Sequence, residues 1–215
     1  MSKEKIIGEK REMFRPEVWV TIPVGGMTTP QLLAELRKAD VQINIEYLEN
    51  TLEHPSFLVS GNPWNIKLVR CKTREVAPTR RRLGPTTLTL YKAINEIGYA
   101  CPAEVAPHLL LWAAKQKKII PRFKTLMAPL RSRFSTPHIL CGEAKGYGTE
   151  YRAKLWSEGA ATNEWLPDED VIFAHDEQTW PPNEHLLCPV EPPLRLARDP
   201  EHDTAALIRA WKKET

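Results

Sequence analysis

Six prolines fall between Trp180 and Pro200, at positions 181, 182, 189, 192, 193 and 200. No helix or sheet interior accommodates that density, because each proline fixes φ and removes a backbone donor. Residues 179–215 are therefore expected to form an extended strap with polyproline II character, ending in a short helix opened by Asp203-Thr204. Leu207 and Trp211 stand four residues apart on that helix. With Trp180 they form the set expected to anchor the strap, either on its own domain or on a protein partner. The first 12 residues are charged and expected to be flexible, which leaves residues 13–178 as one domain.

Within that domain the pattern predicts an α+β fold. Val18, Val20 and Ile22 alternate with Trp19 and Thr21 in a strand that ends at Pro23 and the Gly25-Gly26 turn. Thr28 or Thr29 can cap a helix that starts with Pro30, carries Leu32, Leu33 and Leu36 as its stripe, and ends near Asp40. A short segment at 41–43 precedes a second helix over 45–53. Segments 57–60 and 66–71 then read as a hairpin through Gly61-Asn62-Pro63. Residues 72–87 lack periodicity and read as an exposed loop. A helix over 86–97 buries Leu90, Ala93, Ile94 and Ile97 and stops at Gly98. The segment 103–114 is apolar on several sides despite Pro107, and Lys115-Gln116-Lys117-Lys118 closes it. Short apolar segments at 122–130, 138–141, 151–156 and 171–174 follow, separated by Pro137, the Gly146-Tyr147-Gly148 turn and Gly159. They predict an antiparallel β meander.

Charge is sorted along the chain. Residues 67–133 hold 15 Lys and Arg against only Glu75, Glu96 and Glu104, whereas both flanking stretches are net acidic, so the formal charge of +3 hides a basic middle. Clustered cations are the footprint of a polyanion partner, since each phosphate neutralised releases condensed counterions. The competing reading is that the basic middle packs beside the acidic last third and the charges cancel within one molecule.

Cofactor and catalytic signatures are weak. Cys71, Cys101, Cys141 and Cys188 lie too far apart for a zinc knuckle or a redox pair and read as reduced structural residues. His138 and Cys141 have an odd offset in a predicted strand and face opposite sides. Asp168-Glu169-Asp170 and His175-Asp176-Glu177 could hold a divalent cation, but a solvated acidic surface is the simpler expectation. Neither a Gly-x-Ser-x-Gly elbow nor a phosphate-cradling glycine pattern occurs. Glu104 and His108 would pair on one helical face only if a helix ran through Pro107, which lacks a backbone donor, so that pair is set aside. No metal or cofactor is expected. An enzyme whose acid–base site is assembled from distant residues stays open, as such sites leave no local motif.

One stretch resembles a known family. The sequence Cys101-Pro102-Ala103-Glu104-Val105-Ala106-Pro107-His108-Leu109 follows a helix ending in Ile97-Gly98-Tyr99. It is similar to a family of uncharacterised bacterial proteins with a Leu-Cys-Pro-Ala-Glu-Val-Gly-Pro-Gln-Leu core, from which it departs at Ala106 and His108. Val20 to Gly26 and Phe57-Leu58-Val59 resemble that family's opening strand and turn and its post-helical strand. The resemblance implies an α+β fold and brings no activity.

The expected function is that of a non-catalytic nucleic-acid-associated protein, with DNA or RNA bound through the backbone and without sequence specificity. Arg80, Arg81, Arg82, Lys115, Lys117, Lys118, Arg122, Lys124, Arg131 and Arg133 are the expected phosphate contacts. Phe123 and Phe134 could stack on bases or belong to the core. The alternative is a protein-interaction module or assembly subunit that uses the strap. No run approaches the ~20 apolar residues a bilayer span needs, and the N-terminus lacks a signal peptide's apolar run, so a cytoplasmic protein without a membrane partner is expected.

Overall fold

In a computed structural model of the chain, residues 14–44, 52, 57–78, 84–127, 130, 138–147, 150–159 and 165–175 are described. Elements run in the order β1 (Val20–Val24), α1 (Thr29–Lys38), β2 (Val41–Ile43), β3 (Trp64–Lys72), α2 (Thr73–Val76), α3 (Thr87–Ile94), β4 (Gly98–Tyr99), α4 (Val105–Gln116), β5 (Ile120–Thr125), β6 (His138–Tyr147), β7 (Glu150–Gly159) and β8 (Asp170–His175). The fold is α+β, as expected.

Helix α4 sets their arrangement. Val105, Ala106, Pro107, His108, Leu109, Leu110, Leu111 and Ala113 are all buried, so the first two turns of this helix have no solvent face and must be enclosed. It touches α1 and strands β1, β2, β5, β6 and β7. The sheet order is β1-β3-β8-β5-β6-β7-β2, with β4 paired to β8. Because β1 and β2 are its two ends, contact with both means that the sheet curls round the helix. Burying Leu109, Leu110 and Leu111 stabilises this arrangement by roughly 1.5–3 kcal/mol each. Pro107 is no obstacle. It is the third residue of α4, where backbone amides have no intrahelical acceptor and a missing donor costs nothing. The helix runs straight through it, which removes the reason for setting Glu104 and His108 aside.

Local sequence accounts for α1. The Thr28 side chain caps it, Gln31 completes a capping box, and Leu32, Leu33 and Leu36 are buried. Thr86 caps α3, which ends at Ile94, earlier than its sequence pattern predicts, and Gly98 enters β4. Of the second helix expected over 45–53, only Leu52 is described, and it is buried.

Two predicted features are corrected. Residues 57–60 do not form a strand, so there is no hairpin with β3. The backbone of Ser60 serves elsewhere: the Gly26 amide donates to the Ser60 carbonyl at 2.8 Å, and the Ser60 amide donates to the Glu104 carboxylate at 3.1 Å. Strand β3 pairs instead with β1, from Val20↔Leu68 to Val24↔Trp64, and Pro23 is tolerated because β1 is an edge. The start of the supposed loop over 72–87 is also packed. Thr73 is buried, its amide donates to the Glu169 carbonyl at 3.0 Å and its hydroxyl to the Leu166 carbonyl.

The meander holds for β5, β6 and β7, which are antiparallel in sequence order. The fourth segment departs from it. Strand β8 returns to lie between β3 and β5, parallel to β5. All six of its residues are buried, and a strand apolar on both faces needs a central place that the edge beside β7 does not offer. That edge is taken by β2, parallel to β7, with Gln42 exposed. Residues 1–13, 79–83 and 176–215 lie outside the described residues.

Gly25 gives a test of the β1–α1 corner. Its φ is +75°, and a Cβ there would stand 2.5 Å from the Asn62 carbonyl oxygen and 2.8 Å from the Ser60 Cβ. Gly25→Ala is expected to cost at least about 2 kcal/mol, from the left-handed backbone and the forced displacement. Calorimetry should record a melting temperature lower by about 4–8 °C. Gly146→Ala, whose added methyl meets only Ile119 at 3.6 Å, should change stability by less than about 0.5 kcal/mol. Equal melting of the two variants would contradict this account.

Candidate nucleic-acid interface

The basic middle divides into cations neutralised internally and cations facing solvent. Arg70 and Lys72 reach Asp170 at 2.6 and 2.7 Å, and Arg74 reaches Asp168 at 2.6 Å. Arg122 and Lys124 meet Glu158 at 2.6 and 2.9 Å, and Lys124 meets Glu169 at 3.1 Å. These acids all belong to the last third of the chain. The cause is topological, since β8 sits between β3 and β5 and brings residues 168–170 against both basic strands. Glu169 and Asp170, expected on a solvated acidic surface, are in fact buried.

Lys124 lies at the centre of this pairing. It is buried, and its ammonium is 5.2 Å from the centre of the Trp165 ring, which is fully enclosed. Burial pulls its pKa down, but the hydrogen bonds and charges of Glu158 and Glu169 outweigh that and hold it above the usual lysine value. Burial likewise pushes Glu158 up, while hydrogen bonds from Trp156 and Lys124 and the charges of Lys124 and Arg122 bring it below the usual carboxylate range. An ammonium held this way is out of reach of a phosphate, so Lys124 leaves the set of expected contacts. Phe123 is a core residue.

A second buried cluster joins Ser60, Trp64, Glu104 and His108. Ser60 Oγ donates to Glu104 Oε1 at 2.6 Å and accepts from Trp64 Nε1 at 3.0 Å. His108 Nε2 lies 3.7 Å from Glu104 Oε2 and accepts the Gly25 amide at 3.2 Å. A hydroxyl, an imidazole and a carboxylate are thus together, but the hydroxyl points to the carboxylate and the imidazole is occupied by a backbone donor. The set clasps the Gly25 turn and the 57–60 segment to the start of α4. Burial, and secondarily the charge of Lys115, pushes the His108 pKa down to about 4, so the ring is neutral at physiological pH. Burial also raises the thiols of Cys71, to about 12, and of Cys101 and Cys141. No three His, Cys, Asp or Glu converge as metal ligands among the described residues.

The remaining polar feature is the outer face of β5, β6, β7 and β2. Strands β6 and β7 pair without a break from His138↔Gly159 to Tyr147↔Glu150. Alternation turns Leu140, Gly142, Ala144, Ala153 and Leu155 towards α4 and leaves Glu143, Lys145, Tyr147, Arg152, Lys154 and Trp156 on the other side. An irregularity between Ile120 and Phe123 lets both of those side chains turn inward while Arg122 stays exposed. Arg122 lies 5.5 Å and Lys154 5.9 Å from the centre of the Trp156 ring, and Arg152 lies 5.8 Å from that of Tyr147. Two adjoining hollows result. One, of about 220 Å³, is lined by Gln42, Glu143, Lys145, Tyr147, Arg152 and Lys154; the other, of about 290 Å³, by Asn44, Arg122, Glu143, Lys154 and Trp156. Both fall below the ~300 Å³ at which enclosed small-ligand pockets begin.

Of the residues expected from sequence to bind phosphate, Arg122 is on this face. Lys117 and Lys118 are exposed in the turn after α4, where the hydroxyl of Tyr151, a residue on the α4-facing side of β7, donates to the Lys118 carbonyl at 3.0 Å, so neither joins the lining of the outer face. Lys115 is exposed and 3.5 Å from Glu35, on the α1 side. Arg80, Arg81, Arg82, Arg131 and Arg133 lie outside the described residues, as do Phe134 and the strap residues Trp180, Leu207 and Trp211. Lys145, Tyr147, Arg152, Lys154 and Trp156 were not expected from sequence. The alternation Arg152-Ala153-Lys154-Leu155-Trp156 is the signal that marks them.

Two stability predictions follow from the buried clusters. Lys124→Met removes the cation between Glu158 and Glu169 and should destabilise by about 3 kcal/mol, the range for breaking one side of a buried ion pair. An unchanged urea midpoint would mean that the cluster is solvated. For His108, the folded pKa of about 4 lies below the unfolded value of ~6.5, so the unfolded chain binds the proton first. Stability should fall as pH drops from ~6.5 towards 4, by up to about 3 kcal/mol. His108→Gln, which keeps an acceptor for the Gly25 amide, should flatten the profile across that window. Buried Glu104, with its raised pKa, contributes the opposite slope in both proteins, so the difference between the profiles isolates His108.

No family model, no curated protein and no solved structure matches the chain.

Proposed function

We propose that this is a non-catalytic nucleic-acid-associated protein that grips the phosphate backbone of DNA or RNA without reading sequence. The observation that supports this reading is the open face on which Arg122, Lys145, Arg152 and Lys154 surround Trp156 and Tyr147. Lys145, Arg152 and Arg122 are held by Glu143, Glu150 and Glu158 respectively, at 2.6 to 2.7 Å. Such accessible pairs are worth roughly 0–1 kcal/mol each. A phosphate can therefore replace the carboxylate at little cost. Arg80, Arg81, Arg82, Arg131 and Arg133 would add contacts from their own segments. The reading as a protein-interaction module draws on Trp180, Leu207 and Trp211 and on no described residue.

The carboxylates temper the field, so binding should be weak and strongly salt-dependent. With Arg122, Lys145, Arg152 and Lys154 each neutralising one phosphate of a single strand, this face should contribute about −3 to the slope of log affinity against log salt. The Arg152→Ala/Lys154→Ala double variant should flatten that slope by about 1.4 units. Fluorescence anisotropy of a labelled oligonucleotide across a salt series measures both. Absence of binding at low salt, or an unchanged slope in the double variant, would overturn the proposal.

A further inference from the structure

We infer that the nucleic acid this face takes is a single strand whose bases lodge in the two hollows against Tyr147 and Trp156. The inference rests on the phosphate-binding reading and adds to it the chemistry of the ligand. Tyr147 is 56% exposed, a large ring left in water at the end of a strand, beyond the outer polar positions Glu143 and Lys145. Each hollow combines one aromatic side chain with cations close to its ring and with Glu143 at their shared wall. Cations alone would serve a duplex, which offers phosphates outward and keeps its bases stacked inside. An aromatic ring beside each cluster of cations suits a ligand whose own rings are unpaired, since every base has a face to stack.

Spacing supports the same ligand. Tyr147 and Cys141, the partner of Trp156, are six residues apart on β6, a separation of about 20 Å at the strand rise. A strand of about four nucleotides covers that length, at the low end of site sizes for stacking platforms. Positions on one face of the sheet recur every ~6.8 Å, close to the distance between successive phosphates of an extended strand. An acidic peptide matches the cations and leaves the hollows without rings to fill them.

The test uses the full chain and four labelled probes: oligo-dT, oligo-U, an abasic strand of equal length, and a duplex. Oligo-dT or oligo-U should bind at least about tenfold more tightly than the abasic strand and the duplex, the preferred sugar distinguishing DNA from RNA. Tyr147→Ala and Trp156→Ala should each remove about tenfold of the single-strand affinity and leave the abasic strand unchanged. Trp156→Phe keeps a ring and should retain binding. Exposed Tyr147 keeps the test decisive should Trp156→Ala fail to fold. Equal affinity for abasic and base-bearing strands, or single-strand preference unmoved by both variants, would overturn the inference and leave the phosphate reading intact. No binding to any probe would remove both, and competition by polyglutamate as effective as by oligo-dT would assign the face to acidic peptides.

Discussion

Two helical turns with no solvent face must be surrounded, and most of this structure follows from surrounding the start of α4. Its backbone is satisfied internally, but His108, Glu104 and its apolar side chains need partners on every side. The sheet supplies them by bringing both of its edges to the helix. The two polar residues at its start are then enclosed as well. Each obtains a partner from the segments that cross there, His108 from the Gly25 amide and Glu104 from the amide and hydroxyl of Ser60. Ser60 is thereby withdrawn from any strand pairing, since its amide, hydroxyl and carbonyl are all engaged at the start of the helix and the Gly25-Gly26 turn.

Enclosing α4 also sorts the charges. Once β8 occupies the middle of the sheet, its leading acids Glu169 and Asp170 lie between two basic strands. The Lys124–Glu169 pair there, enclosed on both sides, resists exchange, because removing one partner strands a buried charge at a cost of several kcal/mol. Pairs on the outer face are solvated and worth less than ~1 kcal/mol. The same residue types therefore have different uses according to depth. Lys124 is buried and holds the fold, whereas Lys154 is exposed to solvent.

Much of the fold was legible from local chemistry. The cap at Thr28, the leucines of α1, and the apolarity of 103–114 each specify an element without reference to the rest. The errors concern pairing. Gly146-Tyr147-Gly148 reads as a turn, yet β6 continues to Tyr147 and pairs it with Glu150. In a hairpin a shift of one residue exchanges the two faces of a strand, so the outer face could not be assembled before the register was known. Lys124 reads as a surface cation because a charge count carries no depth, and Glu158 is far from it in sequence. Pro107 misleads for another reason: a proline within the first turn of a helix is harmless, whereas the same residue one turn later is a breaker. The apolarity of 171–174 on both faces was the available clue that β8 is central.

Glu158 stands where the dry and wet regions meet, and its bonds determine how the outer face can work. Its Oε1 accepts from Arg122 at 2.6 Å and from Trp156 Nε1 at 2.9 Å, while Oε2 faces Lys124 at 2.9 Å. A phosphate that draws Arg122 away leaves this carboxylate still bound to an ammonium and an indole donor. No buried charge is orphaned by the exchange, so the several kcal/mol that such stranding costs elsewhere does not arise here. On the proposed reading, Arg122 therefore serves the fold when the face is empty and a phosphate when it is filled. Lys124 has no such freedom, because both Glu158 and Glu169 depend on it.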